Sequence, residues 1–544
     1  MNGRDVFELT VLIALFNVAP ISLAADVKGV DPGAPGAIVH VAIDQSKTLG
    51  PAEVIGDLIG SQYEPYTFGF RHPDPWGIGA WREVGFNISD IALFDFEGSN
   101  PFTVSGKIVG IHVRRDTAGN LRLDFSDFDK NINFMRHDLG AKKIDFTVWG
   151  TPKALADRAA GSIFFFSAPA NYQEWAQIVQ SAVRHIKDDL GLAGSSYKPW
   201  TEPDSGWYWR GRAREGQMAT TAENATKIQQ AIVKERPLLD DYVEKYVNDW
   251  HAIKGIDPAA KVGGPFSVYS TDLPGSAFST DDFLTKIDAY NAAHPTSRVT
   301  VDELVYQDYN WHGNGLPEGV RGANALIAKQ HLPATTPLVL AGWNNGMKND
   351  QSLQQRAVYL VSNIIGELLP VGRPRTLSRA YIWPFDYDYY AVGLGPVIMP
   401  YPAVSYMGED GSDAPMKIPA ITERSKRPAH AGLLLLSHLK RGQLIAAQSS
   451  SAAVAVIATV QPDERIQFVV TNYSPRSQRI SASLSGTAKA RNYTDITFQR
   501  VDVNHSSDGT GLESGETRHV AIAANGELPS FDALPYSITG VTIH

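Results

Sequence analysis

Three features of this 544-residue sequence predict a (β/α)8 TIM barrel, an α/β fold, carrying an accessory antiparallel β-sandwich. Short apolar runs alternate with longer helical patterns from about residue 85 to 390. The alternation supplies seven strands, and a weaker apolar run at 54–62 supplies an eighth. After about Ser425 the apolar period shortens to two residues. Strands that alternate with helices pair in parallel through crossovers, and eight such units close into a barrel. A doubly wound sheet would want a Gly-rich phosphate loop after an early strand, and none is present.

The elements follow in order. "AIVHVAID" (37–44) alternates as a strand and, lying outside the barrel pattern, is assigned to the sandwich. "NISDIALFD" (87–95) is a strand, and "SDFDKNINFMRHDLG" (126–140) is a helix ending in Gly. "KKIDFTVWG" is the next strand, and "NYQEWAQIVQSAVRHIKDDLG" is an amphipathic helix, again stopped by Gly. "YKPWTEPDSGWYW" (197–209) is strand-like and precedes a long charged helix through Tyr242 and Lys254. "KVGGPF", "VDELVYQDYNW", "PLVLAGWNN" and "LSRAYIWPFD" complete the strand series, with helical runs such as "QQRAVYLVSNIIGELL" between them. "RPAHAGLLLLSHLK" is a last helix. The runs "AAVAVIATV", "RIQFVVTNYS", "RISASLSG", "VDVNHSS" and "HVAIAAN" then read as sandwich strands punctuated by turn residues. The expected organisation is a leader over 1–25, a strand segment over 26–52, the barrel over 53–425, and a helix with the sandwich over 426–544.

Composition narrows the function. A formal charge of −9 and the lack of any Lys/Arg-rich block argue against nucleic acid as a partner. The 11 Trp, 21 Tyr and 22 Phe are not interleaved with basic residues, which suits a sugar-binding groove better than a phosphate-binding one. With no cysteine, disulfide and thiol chemistry play no part. The apolar run 11–23 ends in small residues and reads as a secretory signal cleaved near Ala24 or Ala25, which predicts a secreted or periplasmic protein. Pro20 interrupts that run and it is too short to span a bilayer, so no membrane association is expected after cleavage. Sequons at Asn224 and Asn492 matter only in a host that glycosylates secreted proteins.

In a barrel of this kind the chemistry sits at the carboxyl ends of the strands. Glu202 falls at such an end, followed by Pro203 and flanked by Trp200 and Trp207. A carboxyl desolvated by aromatic surface keeps its proton near neutral pH, as a general acid for a glycosidic oxygen must. Trp149, Tyr309, Trp311, His312, Trp343, Asn344, Trp383, Tyr387 and Tyr389 lie near the ends of other strands. Rings there can stack on pyranose faces, with Asn and His bonding the hydroxyls. No zinc-spaced cluster, calcium loop or nucleophile elbow is present, so neither a metal nor another cofactor is expected.

Taken in order, "DFSDFDKNINFMRHDLGAKKIDFTVWGTPKALA", "PWTEPDSGWYW", "AIKGIDPAAKVGGPF", "ELVYQDYNWHG", "VLAGWNNG" and "RAYIWPFDY" resemble glycoside hydrolase family 39, the barrel enzymes that include β-xylosidases and α-L-iduronidases. The resemblance spans nearly the whole mature chain and implies an oligo- or polysaccharide substrate. It puts Glu202 on the family's acid/base position and Thr201 where the family carries an Asn that binds the hydroxyl beside the anomeric carbon. It puts Gly342 where the family's seventh strand carries the nucleophilic Glu. Glycine offers no carboxylate, and a retaining mechanism needs a second one about 5–5.5 Å from the first. Three explanations follow. A relocated base, Asp308 or Asp386 (or Asp388), would stand about 6.5–9.5 Å away and invert the anomeric centre. The chain would otherwise be a carbohydrate-binding pseudo-enzyme, or a retaining enzyme altered at one position. Elimination at a uronic acid would draw on Tyr309 with His312.

Overall fold

The computed structural model describes residues 38–62, 73–94, 110–157, 165–204, 208–212, 238–267, 276–309, 316–330, 332–344, 351–368, 377–383, 397–398, 404–406, 416–418, 424–486, 493–506, 511–520, 522 and 526–544. The leader expected over 1–25 lies outside them.

Eight parallel strands close into a barrel in chain order. They are β1 (Ile59–Gln62), β2 (Ile88–Ala92), β3 (Lys143–Thr147), β4 (Ser196–Lys198), β5 (Lys261–Ser267), β6 (Glu303–Asp308), β7 (Leu338–Trp343) and β8 (Leu377–Ile382). The barrel expected from the alternation is therefore present. One element needs correction: residues 54–62 are not all strand, since Val54–Leu58 forms a short helix and only Ile59–Gln62 pairs.

Side chains alternate between the barrel axis and the helical shell, as a period of two requires. Part of the interior is apolar, built from Ile88, Phe266, Val305, Val339, Ala341 and Tyr381. The barrel strands also carry an ionic network. Arg379 on β8 reaches across the axis. It donates to Asp145 on β3 at 2.8 Å, to Ser196 on β4 at 2.8 Å, and to both carboxylate oxygens of Glu303 on β6 at 2.9 and 2.5 Å. Tyr381 donates to the same Asp145 oxygen at 2.6 Å. Towards the carboxyl ends, Lys198 on β4 bonds Asp90 on β2 and stands 3.7 Å from Asp145. Burial alone would raise the Asp145 carboxyl, but Arg379 and then Lys198 outweigh it and hold the group below its ordinary range. Asp90 goes the other way, raised by burial against the pull of Lys198.

The second unit is one nine-stranded sheet. The strand Ile38–Pro51 enters it between Gln443–Ser449, antiparallel, and Gln478–Ser485, parallel. The sheet curls on itself: Phe498, near one edge, and Phe531, on the other, have ring centroids 5.3 Å apart. Alternate residues such as Val456, Phe468, Val470 and Val541 fill the space between its layers. Ile457, Val469 and Ile538 face the opposite way and join the barrel's hydrophobic shell. Between sheet and barrel runs the helix Pro428–Leu439, buried nearly all round. Gly432 makes that position possible, because a Cβ there would meet Ile538 of the sheet at 2.6 Å and Val361 of a barrel helix at 2.9 Å. Of "VDVNHSS" only Val501 belongs to a strand among the described residues. Asp502 accepts from the backbone of Asn504 and His505 and closes a turn, while the strand lies just upstream at Asp495–Val501. Among the described residues no helix is long and apolar enough to cross a membrane.

Two outcomes are expected. Arg379→Met leaves Glu303 and Asp145 buried without their main cation and should cost roughly 3–5 kcal/mol, read from urea unfolding. Lys440 clamps the end of the helix Pro75–Val84 by donating to the carbonyls of Val84 and Gly85, and burial pushes its ammonium down from 10.5 to about 8. Between those two values the unfolded chain binds the extra proton, so this residue's contribution to stability rises with pH across that window. Lys440→Met should remove that part of the slope when unfolding is compared at both ends of the window.

Candidate active site

Backbone strain marks one end of the barrel. Six described non-glycine residues have positive φ, and three of them sit at the ends of β4 and β5: Trp200 at 108°, Glu202 at 43° and Phe266 at 64°. Each such conformation costs about 1–3 kcal/mol and persists only where surrounding contacts impose it. Two of the three are bonded together, the Glu202 N–H donating to the Phe266 carbonyl at 3.1 Å. Glu202 is half-buried and stands in the turn just beyond β4, after Pro199, Trp200 and Thr201, with Thr201 half-buried beside it. Below them Lys198, wholly buried, forms the floor with Asp90 and Thr147.

Trp200 does not flank the carboxyl as a sugar platform. Its ring is fully buried in the helical shell, edge-on to Trp209 at 4.9 Å, and its indole N–H donates to the Tyr208 carbonyl. Another group of rings gathers just past β3. Trp149, just past β3, stands edge-on to Phe165 at 5.5 Å and to Tyr208 at 5.6 Å, and Phe166 closes the group against Tyr208 at 5.9 Å. Trp149, Phe166 and Tyr208 keep part of their surface open. Trp207, Trp311, His312, Asp386, Tyr387, Asp388 and Tyr389 lie outside the described residues.

At β6 and β7 a bulge decides which residues face inward. Leu340 pairs with Tyr306 and Gly342 with Gln307, so Ala341 is the extra residue. Paired residues of parallel strands share a face. Gly342 and Gln307 therefore face inward, while Trp343 and Asp308 turn to the helical shell, where Trp343 belongs with Tyr306 and Ile382 to the outer apolar cluster. Two expectations change: the bulge turns the Trp343 ring out of the groove, and the Asp308 carboxylate lies on the outer face by β6's own alternation, in which Val305 faces inward and Tyr306 outward. Tyr309, Asn344 and Trp383 are brought together at the mouth. The Tyr309 and Trp383 rings meet edge-on at 5.7 Å, and the Asn344 amide donates to the Trp383 carbonyl at 3.2 Å.

Gly342 is more than a missing side chain. A Cβ there would collide with the Tyr309 hydroxyl, with the Tyr309 Cζ at 3.3 Å and the Gln307 Cδ at 3.5 Å. The root of any side chain at 342 is thus already filled by a phenol. Sequence reasoning had no access to this packing, nor to Lys198 and Gln307 as lining residues. A Lys within the strand "YKPW" and a Gln after "LVY" were the visible signs, both polar residues next to apolar or aromatic neighbours.

The structure thus presents a (β/α)8 barrel with a carboxyl at the end of β4, and its fold is found among glycoside hydrolases. Within that class the similarity runs to family 39, as the motifs implied. The chain is 22% identical over 473 residues to a β-xylosidase of Caldicellulosiruptor saccharolyticus, covering 79% of this chain and 85% of that protein. Its fold matches a family 39 β-xylosidase from Caulobacter crescentus with a TM-score of 0.60 at 17% identity, over 93% of this chain and 99% of the other. A family 39 enzyme from Xanthomonas axonopodis pv. citri matches equally, with a TM-score of 0.60 at 16% identity over 97% and 99%. No protein-family model matches the chain.

Gly342→Glu should be destabilising by about 1–3 kcal/mol through overpacking against Tyr309. Adding Tyr309→Phe, which removes the colliding oxygen, should recover much of that loss in thermal unfolding. A single variant as stable as the parent would contradict the packing described.

Proposed function

We propose that this chain hydrolyses O-glycosidic bonds in oligo- or polysaccharides, β-xylosides being the first class to test, with Glu202 as the general acid. The observation that carries this reading is the placement of Glu202 on a strained turn at the end of β4, in a barrel whose fold is shared with family 39 enzymes. Glu202 gives its proton to the departing oxygen, and Thr201 offers a hydroxyl where the family carries Asn. Gly342 takes the place of the nucleophile, so no ester forms on β7. With Asp308 directed into the shell, Asp386 is the carboxylate we assign to activate water, which makes the displacement inverting. Residues 1–25 we assign as a leader directing export, which N-terminal sequencing of the secreted or periplasmic protein checks.

Release of sugar from a panel of glycans and aryl glycosides tests the assignment. The parent should turn over at least one, and Glu202→Gln should lose roughly 10²-fold or more on unactivated substrates. Activity untouched by that substitution removes Glu202 from the chemistry. Sugar binding without turnover in either protein would mean a carbohydrate-binding protein. Proton NMR of the first product should show the inverted anomer, and a retained one rules out the Asp386 route.

A further inference from the structure

Something must hold Trp200 at φ 108°, because the direction of Glu202, two residues on, follows from it. The indole N–H bond to Tyr208 and the edge contact with Trp209 fix the ring in part. The remaining contact is ionic. Lys245, on the helix Leu238–Ile256, is wholly buried, and its ammonium stands 5.0 Å from the Trp200 ring centroid. The same ammonium donates to the Val148 carbonyl just past β3 at 3.3 Å and to Asp249 at 2.5 Å. It also lies 4.8 Å from the ring of Trp175. The Trp175 indole N–H in turn donates to the other Asp249 oxygen at 2.6 Å.

A buried ion pair stabilises a fold no better than hydrocarbon of the same shape, so packing alone gives no reason for a Lys here. A cation does what a Leu would not. It draws the negative face of Trp200 towards itself and ties that ring to the backbone at the end of β3.

We propose that Lys245, held by Asp249, is a positioning residue for proton donation: it fixes Trp200, and through it the line along which Glu202 faces the glycosidic oxygen. This rests on the reading of Glu202 as general acid. Lys245 acts through Trp200 and has no part in the bond changes. A proton donor that is aimed badly fails selectively, because a leaving group of high pKa needs the proton and one of low pKa departs without it.

The test uses the full chain and two aryl β-xylosides, one releasing phenol and one releasing 2,4-dinitrophenol. Lys245→Met with Asp249→Asn removes both charges together and keeps an oxygen for Trp175. Its kcat/KM should fall roughly 10- to 100-fold on the phenyl substrate and stay within about threefold on the dinitrophenyl one. Lys245→Arg should stand nearer the parent on the phenyl substrate. Trp200→Phe leaves the ion pair intact and should show the same split, which keeps the test open if the double variant does not fold. Equal losses on both substrates would mean general disruption and overturn the proposal. So would an unchanged phenyl rate in variants that fold, where Glu202→Gln shows the split. If Glu202→Gln treats the two substrates alike, or the parent cleaves no glycoside of the panel, the general-acid reading itself fails and this inference falls with it; a parent that cleaves only another sugar's glycosides is tested on the phenyl and dinitrophenyl glycosides of that sugar.

Discussion

The bidentate grip of Arg379 on Glu303, with its further bond to Asp145, is the interaction on which the rest of the barrel depends. Three carboxylates, Asp90, Asp145 and Glu303, are removed from water inside the strands. Their charge is tolerable only because Arg379 and Lys198 enter the same space. The guanidinium suits the task because its planar fork meets two carboxylates from different strands at once. Strands three, four, six and eight are thereby bonded across the axis as well as around the wall. Lys198 continues the column upward and ends it as the polar floor beneath Glu202.

A floor fixed in this way lets strain be placed above it. The positive φ values at Trp200, Glu202 and Phe266 fall at or just past the carboxyl ends of β4 and β5. The hydrogen bond from Glu202 to Phe266 joins two of these strained points into one support. Behind it lies the Lys245–Asp249 pair, clasped between Trp175 and Trp200. Across the barrel the balance differs. At Gly342 the Tyr309 hydroxyl occupies the root of the side-chain position, so among the described residues this wall offers a phenol where a carboxylate would stand. The two walls are thus chemically unlike, one offering a carboxyl and the other a phenol and a carboxamide.

Much of the candidate site was legible in the sequence, and the remainder was hidden for a common reason. Glu202, Thr201, Tyr309, Asn344 and Trp383 stand at the strand ends where the alternating pattern put them. Asp308 and Trp343 were expected in the groove because they, too, are near strand ends. One extra residue at Ala341 turns Trp343 outward, since a shift of one position exchanges the two faces of a strand, while Asp308 lies outward by the uninterrupted alternation of its own strand. Trp200 was expected to desolvate Glu202, and its φ of 108° sends the ring into the shell instead. Trp149 found ring partners in Phe165 and Tyr208, which approach from separate stretches of chain.

By itself, the sequence determined the fold class, the order of the eight strands, the change to a β-sheet unit after Ser425 and the position of one carboxyl at a strand end. These are written in periods of two and of 3.6 residues, which few neighbouring side chains suffice to set. Only the tertiary structure decided which face each end residue presents, which cations neutralise the buried carboxylates, and what fills the space above Gly342. Those outcomes depend on pairing and packing between segments far apart in the chain, where one bulge or one strained φ redirects a side chain without altering the local pattern that predicted its strand.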